Sequence, residues 1–254
     1  MADAYFRRID CRKLRSEAFY QRSDVLSRKN PIKQTAWGRF FQMLITWTVY
    51  ILFRPKVTFA DKSLKKRLRH CPAVYVCNHT HHFDGAFVGA VLHGYKPYVL
   101  VKSTWYEKKA VGRMISWCRC IPINLDEADG EWFSLSEQVI AQGGSMAIFP
   151  EGAIARDGRM EEFRPGAALL CAKHGIPIVP CAIYGTYRPI FGMRQRLLVG
   201  SPIESDCPKD MRHSKYARIL CAKAQEEVAA LYDTLEERFG DCGTYPKRDK
   251  QIQS

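Results

Sequence analysis

The sequence predicts an α/β fold: a mostly parallel sheet flanked by helices, preceded by a helical segment that associates with membranes. Three observations carry this. After residue 70, short apolar runs alternate with amphipathic stretches, the pattern of parallel strands joined by crossover helices. The runs at 73–77 (AVYVC), 98–102 (YVLVK) and 145–149 (SMAIF) are apolar enough to be buried strands. A chain of 254 residues with 46% hydrophobic content can also bury a substantial core.

Residues 1–35 read as a basic arm, weakly structured or helical. It carries Arg7, Arg8, Arg12, Lys13, Arg15, Arg22, Arg28, Lys29 and Lys33. Residues 1–30 lack an apolar core, so no signal peptide is expected. Residues 36–53 (AWGRFFQMLITWTVYILF) form the first helix. Its continuous apolar part falls short of the roughly 20 residues that a bilayer span needs. Arg39 and Arg54 bracket it and aromatic residues sit at both ends, which suits a helix lying in or dipping into the headgroup region. A buried core helix is the alternative. Residues 1–54 thus form one unit, and residues 55–254 the α/β domain.

A basic run at 62–69 leads into the first buried strand, 73–77. A helix over 84–93 follows, then a strand over 98–102, a helix over 105–117 and a short strand over 121–123. The helix over 131–141 is stopped by Gly143 and Gly144, and the next strand covers 145–149. Gly175 caps a helix over 166–174. The strand over 176–183 contains two prolines, which predicts an edge or bulged position. A strand over 196–199 and a long amphipathic helix over 214–239 complete the order.

The net charge of +13 favours anionic partners, whether nucleic acid, anionic lipid or a phosphorylated cofactor, and does not choose among them. The ten cysteines are scattered, with no C-x-x-C pair, so reduced thiols are expected.

Parallel sheets display reactive groups at the carboxyl ends of their strands. After the first buried strand the chain runs Asn78-His79-Thr80-His81-His82-Phe83-Asp84-Gly85. An imidazole takes a proton from a hydroxyl near neutral pH, and a carboxylate on its other nitrogen fixes the tautomer and stabilises the imidazolium. Four intervening residues in a tight turn allow Asp84 to fold back onto His79. Asp84 is also placed to cap the next helix. A metal site is the competing reading: His79, His81, His82 and Asp84 resemble the H-x-H-x-D-H cluster of metallo-β-lactamase-like hydrolases, although the match is imperfect, because Asp84 is followed by Gly85 rather than histidine.

Two later segments join the first: Ile148-Phe-Pro-Glu-Gly-Ala-Ile-Ala-Arg-Asp-Gly158 and Ile176-Pro-Ile-Val-Pro-Cys-Ala-Ile-Tyr-Gly185. N-H-x-x-x-x-D, then F-P-E-G, then I-P-I-V-P, in that order, resemble the glycerophospholipid acyltransferase family, in particular its 1-acylglycerol-3-phosphate acyltransferases, over roughly residues 55–205. The resemblance implies acyl transfer from acyl-CoA or acyl-carrier protein to the hydroxyl of 1-acylglycerol 3-phosphate, giving phosphatidic acid. It implies His79 as general base, Asp84 as its orienting partner, and Glu151 with Gly152 as the acceptor-binding turn. Neither cofactor nor metal is implied. Another lysophospholipid or an amino-lipid is an alternative acceptor.

The chain departs from the family where Ala153-Ile154 replaces the usual Thr-Arg and where Arg119-Cys-Ile-Pro-Ile-Asn-Leu125 replaces G-x-I-P-V-D-R. Lys102, Arg113, Arg119, Arg156 and Arg164 are the candidate phosphate ligands, because a guanidinium fork matches phosphate oxygens. His81 occupies the position of the family's usual serine. The expected surroundings are an anionic membrane surface, with the protein peripheral or monotopic on the cytoplasmic face of the cell membrane. Nucleic acid is not an expected partner.

Overall fold

The computed structural model describes residues 36–124, 130–155 and 160–242. In chain order the elements are α1 (Ala36–Phe53), β1 (Lys56–Phe59), α2 (Leu64–Arg67), β2 (Val74–Cys77), α3 (Asp84–Val91), β3 (Pro97–Lys102), α4 (Lys109–Trp117), β4 (Cys120–Ile123), α5 (Glu131–Ala141), β5 (Ser145–Ile148), α6 (Gly166–His174), β6 (Ile178–Tyr184), β7 (Arg196–Val199) and α7 (His213–Phe239). Single 3₁₀ turns at His93–Tyr95 and Ser103–Trp105 flank β3. The seven strands form one sheet in the order β1-β7-β6-β2-β5-β3-β4. Every pairing is parallel except β6 with β7.

Successive side chains on a strand face opposite sides of the sheet, and this assigns the two cores. Val74 and Val76 join Met146, Ile148 and Ile178 beneath α5, α6 and α7, where Leu135, Val139, Leu170, Leu220 and Val228 are buried. Tyr75 and Cys77 join Ala147, Val179, Cys181 and Ile183 on the other face, packed against Phe87, Val88 and Val91 of α3 and Val49 of α1.

Helix α1 is neither free nor fully buried. It packs on α3 and α4, burying Gly38, Gln42 and Val49, and Phe41 lies 4.6 Å from Trp117 ring to ring. Its opposite face leaves Trp37, Phe40, Met43, Leu44, Trp47, Tyr50 and Ile51 about half exposed or more. These residues recur at helical spacing and so form one apolar stripe. Among the described residues no helix is long and apolar enough to cross a membrane. The basic arm at 1–35 lies outside the described residues.

Two expectations are corrected. Of the edge or bulged position predicted for the proline-containing strand, the edge is wrong, since β6 lies between β2 and β7 with all seven residues buried, whereas its ladder with the facing strand is irregular. The reason is local. The Pro180 carbonyl accepts from the Gly200 N–H, so the missing Pro180 donor also points toward β7. The ladder is interrupted there, between the Cys181–Val199 pair and the bridge from Ile178 to Ile203. Strand β1 was hidden by its half-exposed alternation and its lysine start. The reduced-thiol expectation also has an exception. Eight cysteines among the described residues are free thiols, whereas Cys71 is disulfide-bonded.

Candidate active site

The site stands where β2 ends. Asn78, fully buried, locks this end to the neighbouring strand: its side-chain amide donates to the Ile183 carbonyl at 3.1 Å and its oxygen accepts the Ile183 N–H at 2.7 Å. His79 therefore leaves the sheet in a fixed direction. Its Nδ1 lies 2.9 Å from Asp84 Oδ2, and its ring stacks on Phe149 at 4.5 Å. A carboxylate only accepts, so Nδ1 carries the proton and Nε2 is left basic. Among the described residues His79 has no hydroxyl or thiol partner.

Asp84 opens α3, but its side chain turns back rather than capping the helix. Its carboxylate accepts from His79 Nδ1, from the Thr80 N–H at 2.6 Å, from the His81 N–H at 2.8 Å and from the Tyr187 hydroxyl at 2.6 Å. The group is fully buried, and four donors replace the water it has lost.

Tyr187, on the loop between β6 and β7, is the residue that sequence reasoning missed; it belongs to no motif, and only the fold brings it to Asp84. Burial first, and the Asp84 charge second, push its phenol well above the ordinary value, so it stays a donor. Its ring contacts Phe53 at 5.3 Å and His81 at 4.7 Å. Tyr187→Phe is expected to lower stability by about 1.5–3 kcal/mol, the range for a hydrogen bond to a charged group, in a denaturant titration. Unchanged stability would mean that water replaces the phenol.

Glu151 faces the same strand end from the turn after β5. One oxygen accepts the His79 N–H at 2.6 Å and the other the Glu161 N–H at 3.0 Å. It holds the backbone of the His79 turn. Burial pushes its carboxyl up to about 7, against the pull of the two amides. Because the folded value lies above the unfolded one, the protonated form favours folding: stability is greatest at low pH and declines as pH rises toward about 7. Melting at pH 5.5 and 8 should show this decline in the wild type and less of it in Glu151→Gln. An equal slope in both would remove Glu151 as the cause.

Gly152 adopts φ +73°, which a side chain resists, and the Arg164 guanidinium packs across it; a Cβ there would meet Arg164 Nε at 3.0 Å. Arg164 is thus brought to the turn. Lys102 ends β3 at the same carboxyl edge, and Arg113 lies on α4. Arg119 is not brought to the site. It precedes β4 at the opposite, amino edge, where it bonds Tyr98 and faces His93. Arg156 lies outside the described residues.

The alternative metal set does not assemble. His79 Nδ1 is committed to Asp84, and His81 Nδ1 accepts the Phe83 N–H. Among the described residues no three His, Cys, Asp or Glu side chains gather to hold an ion. His81 instead stacks on both Phe83 and Tyr187.

A histidine with a buried carboxylate on one nitrogen and a free second nitrogen, at the carboxyl edge of a parallel sheet, is an arrangement that can activate a hydroxyl brought by a substrate. The family model described as Acyltransferase matches residues 56–184, about half of the chain, and the chain belongs to that family. Similar curated proteins include the chloroplastic 1-acyl-sn-glycerol-3-phosphate acyltransferase BAT2 of Brassica napus, 27% identical over 160 residues, which covers 62% of this chain and 46% of the relative. The chloroplastic LPAT1 of Arabidopsis thaliana, named for the same activity, is 27% identical over 165 residues, covering 64% of this chain and 45% of that one. The chain therefore spans about half the length of these curated relatives. Its fold is similar to the crystal structure of the 1-acyl-sn-glycerophosphate acyltransferase PlsC from Thermotoga maritima, with TM-score 0.51 and 18% identity, covering 76% of this chain and 78% of that one.

Proposed function

We propose that the protein transfers a fatty acyl group from a thioester of CoA or acyl-carrier protein to the hydroxyl of 1-acylglycerol 3-phosphate. The observation that carries this is the His79–Asp84 couple, held beside the Glu151–Gly152 turn with Arg164 lying over it. His79 Nε2 takes the acceptor's hydroxyl proton as the oxygen attacks the thioester carbonyl carbon. A C–O bond forms, the C–S bond breaks, and the imidazolium returns its proton to the departing thiolate. Backbone amides at the turns stabilise the oxyanion. Arg164 is the candidate anchor for the acceptor phosphate. The activity for which the similar plant proteins are named supports this acceptor.

The reaction takes place at an anionic membrane surface, on the cytoplasmic face of the cell membrane. The apolar stripe of α1 supports this. So does the loop after β6, which presents Ile190 at 55% and Phe191 at 97% exposure and is tied to α1 by the Ile190 N–H to the Leu52 carbonyl. Arg54, Arg188 and Arg194 flank these apolar residues and add attraction to anionic lipid.

The test is incubation of the purified protein with acyl-CoA or acyl-carrier protein and a panel of lysophospholipids and amino-lipids, with products read by mass spectrometry. Phosphatidic acid as the main product is expected. Acylation of another lipid in preference would replace the acceptor, and no acylation with either donor would sink the reading.

A further inference from the structure

Arg194, Arg196 and Arg238 crowd one corner of the sheet. Because β7 runs antiparallel to β6, Arg196 at its start pairs with Tyr184 at the end of β6, on the same edge of the sheet as His79. The Arg196 guanidinium carbon stands 3.5 Å from the centre of the Phe239 ring, and that of Arg238 stands 5.4 Å from the same centre. Arg194, two residues before Arg196, is tied by its Nε to the Arg54 carbonyl. Arg196 Nε is buried with no hydrogen-bond partner. Among the described residues none of the three arginines forms an ion pair with a carboxylate. Glu236 and Asp241 lie toward the Tyr184 hydroxyl. Arg194 and Arg238 both oppose the Arg196 charge, and like charges converging with no direct ion pair among the described residues cost free energy that a bound anion would relieve.

We infer that this corner is a phosphate site for the thioester donor, taking a phosphate of the phosphopantetheine arm; this rests on the reading given under Proposed function. Position distinguishes donor from acceptor. In 1-acylglycerol 3-phosphate the phosphate sits on the carbon next to the attacked hydroxyl, so it must lie beside His79, where Arg164 is. Arg196 lies two strands away from β2, about 10 Å across the sheet, and on the α7 face with Tyr184, whereas His79 stacks on Phe149 on the α3 face, so the arm crosses the carboxyl edge between them. A pantetheine arm keeps its phosphate well away from the thioester and spans such a gap. The intervening ground is apolar: Ala155 and Met160, from the segment after the Glu151 turn, pack with Tyr184, Met193 and Phe239. That surface suits the chain of the arm, and the guanidinium forks suit its end.

The test is calorimetric titration of the full chain with CoA, with pantetheine and with holo acyl-carrier protein, in the wild type, Arg196→Gln and Arg238→Gln. The wild type should bind CoA about tenfold or more tightly than pantetheine, and each substitution should weaken CoA about five- to tenfold while leaving pantetheine unchanged. Arg238 is exposed on a helix, so its variant keeps the test open if Arg196→Gln does not fold. A parallel loss for holo carrier protein alone would still support the site and would name the carrier as donor. Binding of CoA and of holo carrier protein that is alike indifferent to both substitutions overturns the proposal. If the substitutions instead cost co-sedimentation with anionic vesicles while CoA and carrier-protein binding stay intact, the corner is a lipid surface and the proposal is overturned. Binding is read without turnover, so a chain that binds CoA through these arginines yet acylates nothing sinks the proposed reaction and not this site.

Discussion

Replacing His79 by alanine lowers turnover by about 10²–10⁴-fold, the usual worth of a positioned general base, and changes stability little. The imidazole makes one hydrogen bond and one ring stack, and its side chain is 20% exposed. Its loss leaves a small polar gap that water can enter. Asp84 keeps its other three donors, from Thr80, His81 and Tyr187, so the turn keeps its shape. Paired assays of turnover and thermal melting check this. Full activity in a folded His79→Ala variant would remove the base from the mechanism, whichever acceptor proves correct.

Asp84→Ala has a larger effect on the fold. Asp84 is the shared acceptor of one imidazole, two backbone amides and a phenol, with no exposed surface. An unmatched buried donor costs about 1–3 kcal/mol. Some of the four will find water, so a net loss of about 3–5 kcal/mol is expected, with a melting point roughly 10 °C lower. Asp84→Asn separates structure from chemistry. It preserves volume but offers one acceptor oxygen where four donors converge, and it gives His79 Nδ1 no carboxylate to hold its proton in place. Stability should fall less than in the alanine variant, while turnover falls at least about 10²-fold. Wild-type melting in Asp84→Ala would show that the hydrogen bonds onto this carboxylate contribute nothing to folding.

The parts of this fold legible in the sequence were those set by local pattern. Gly143 and Gly144 mark the end of α5, Gly175 takes the left-handed cap of α6, and alternation after residue 70 gives the parallel layers. The His79–Asp84 spacing was legible for the same reason, because both residues lie in one turn. What stayed hidden was non-local. Pro180 looked like an edge residue because the gap in the ladder that accommodates it is made by residues 200–202. Arg119 looked like a phosphate ligand because a motif position was read without its end of the strand. Tyr187 carried no signal at all, since its partner is 103 residues away in sequence.

That separation governs how the molecule is built on the ribosome. A nascent chain that has emerged only as far as the turn after β5 already contains the imidazole, the aspartate and Glu151. It lacks the strand that Asn78 clasps from 105 residues away, and it lacks the phenol. Parallel pairing over such distances is slow to form. Until translation passes the β6–β7 loop, the buried carboxylate and amide are solvated groups on an incomplete edge. The corner around His79 and Asp84 is therefore finished late in synthesis, and in that interval the half-made sheet is most exposed to proteases and chaperones.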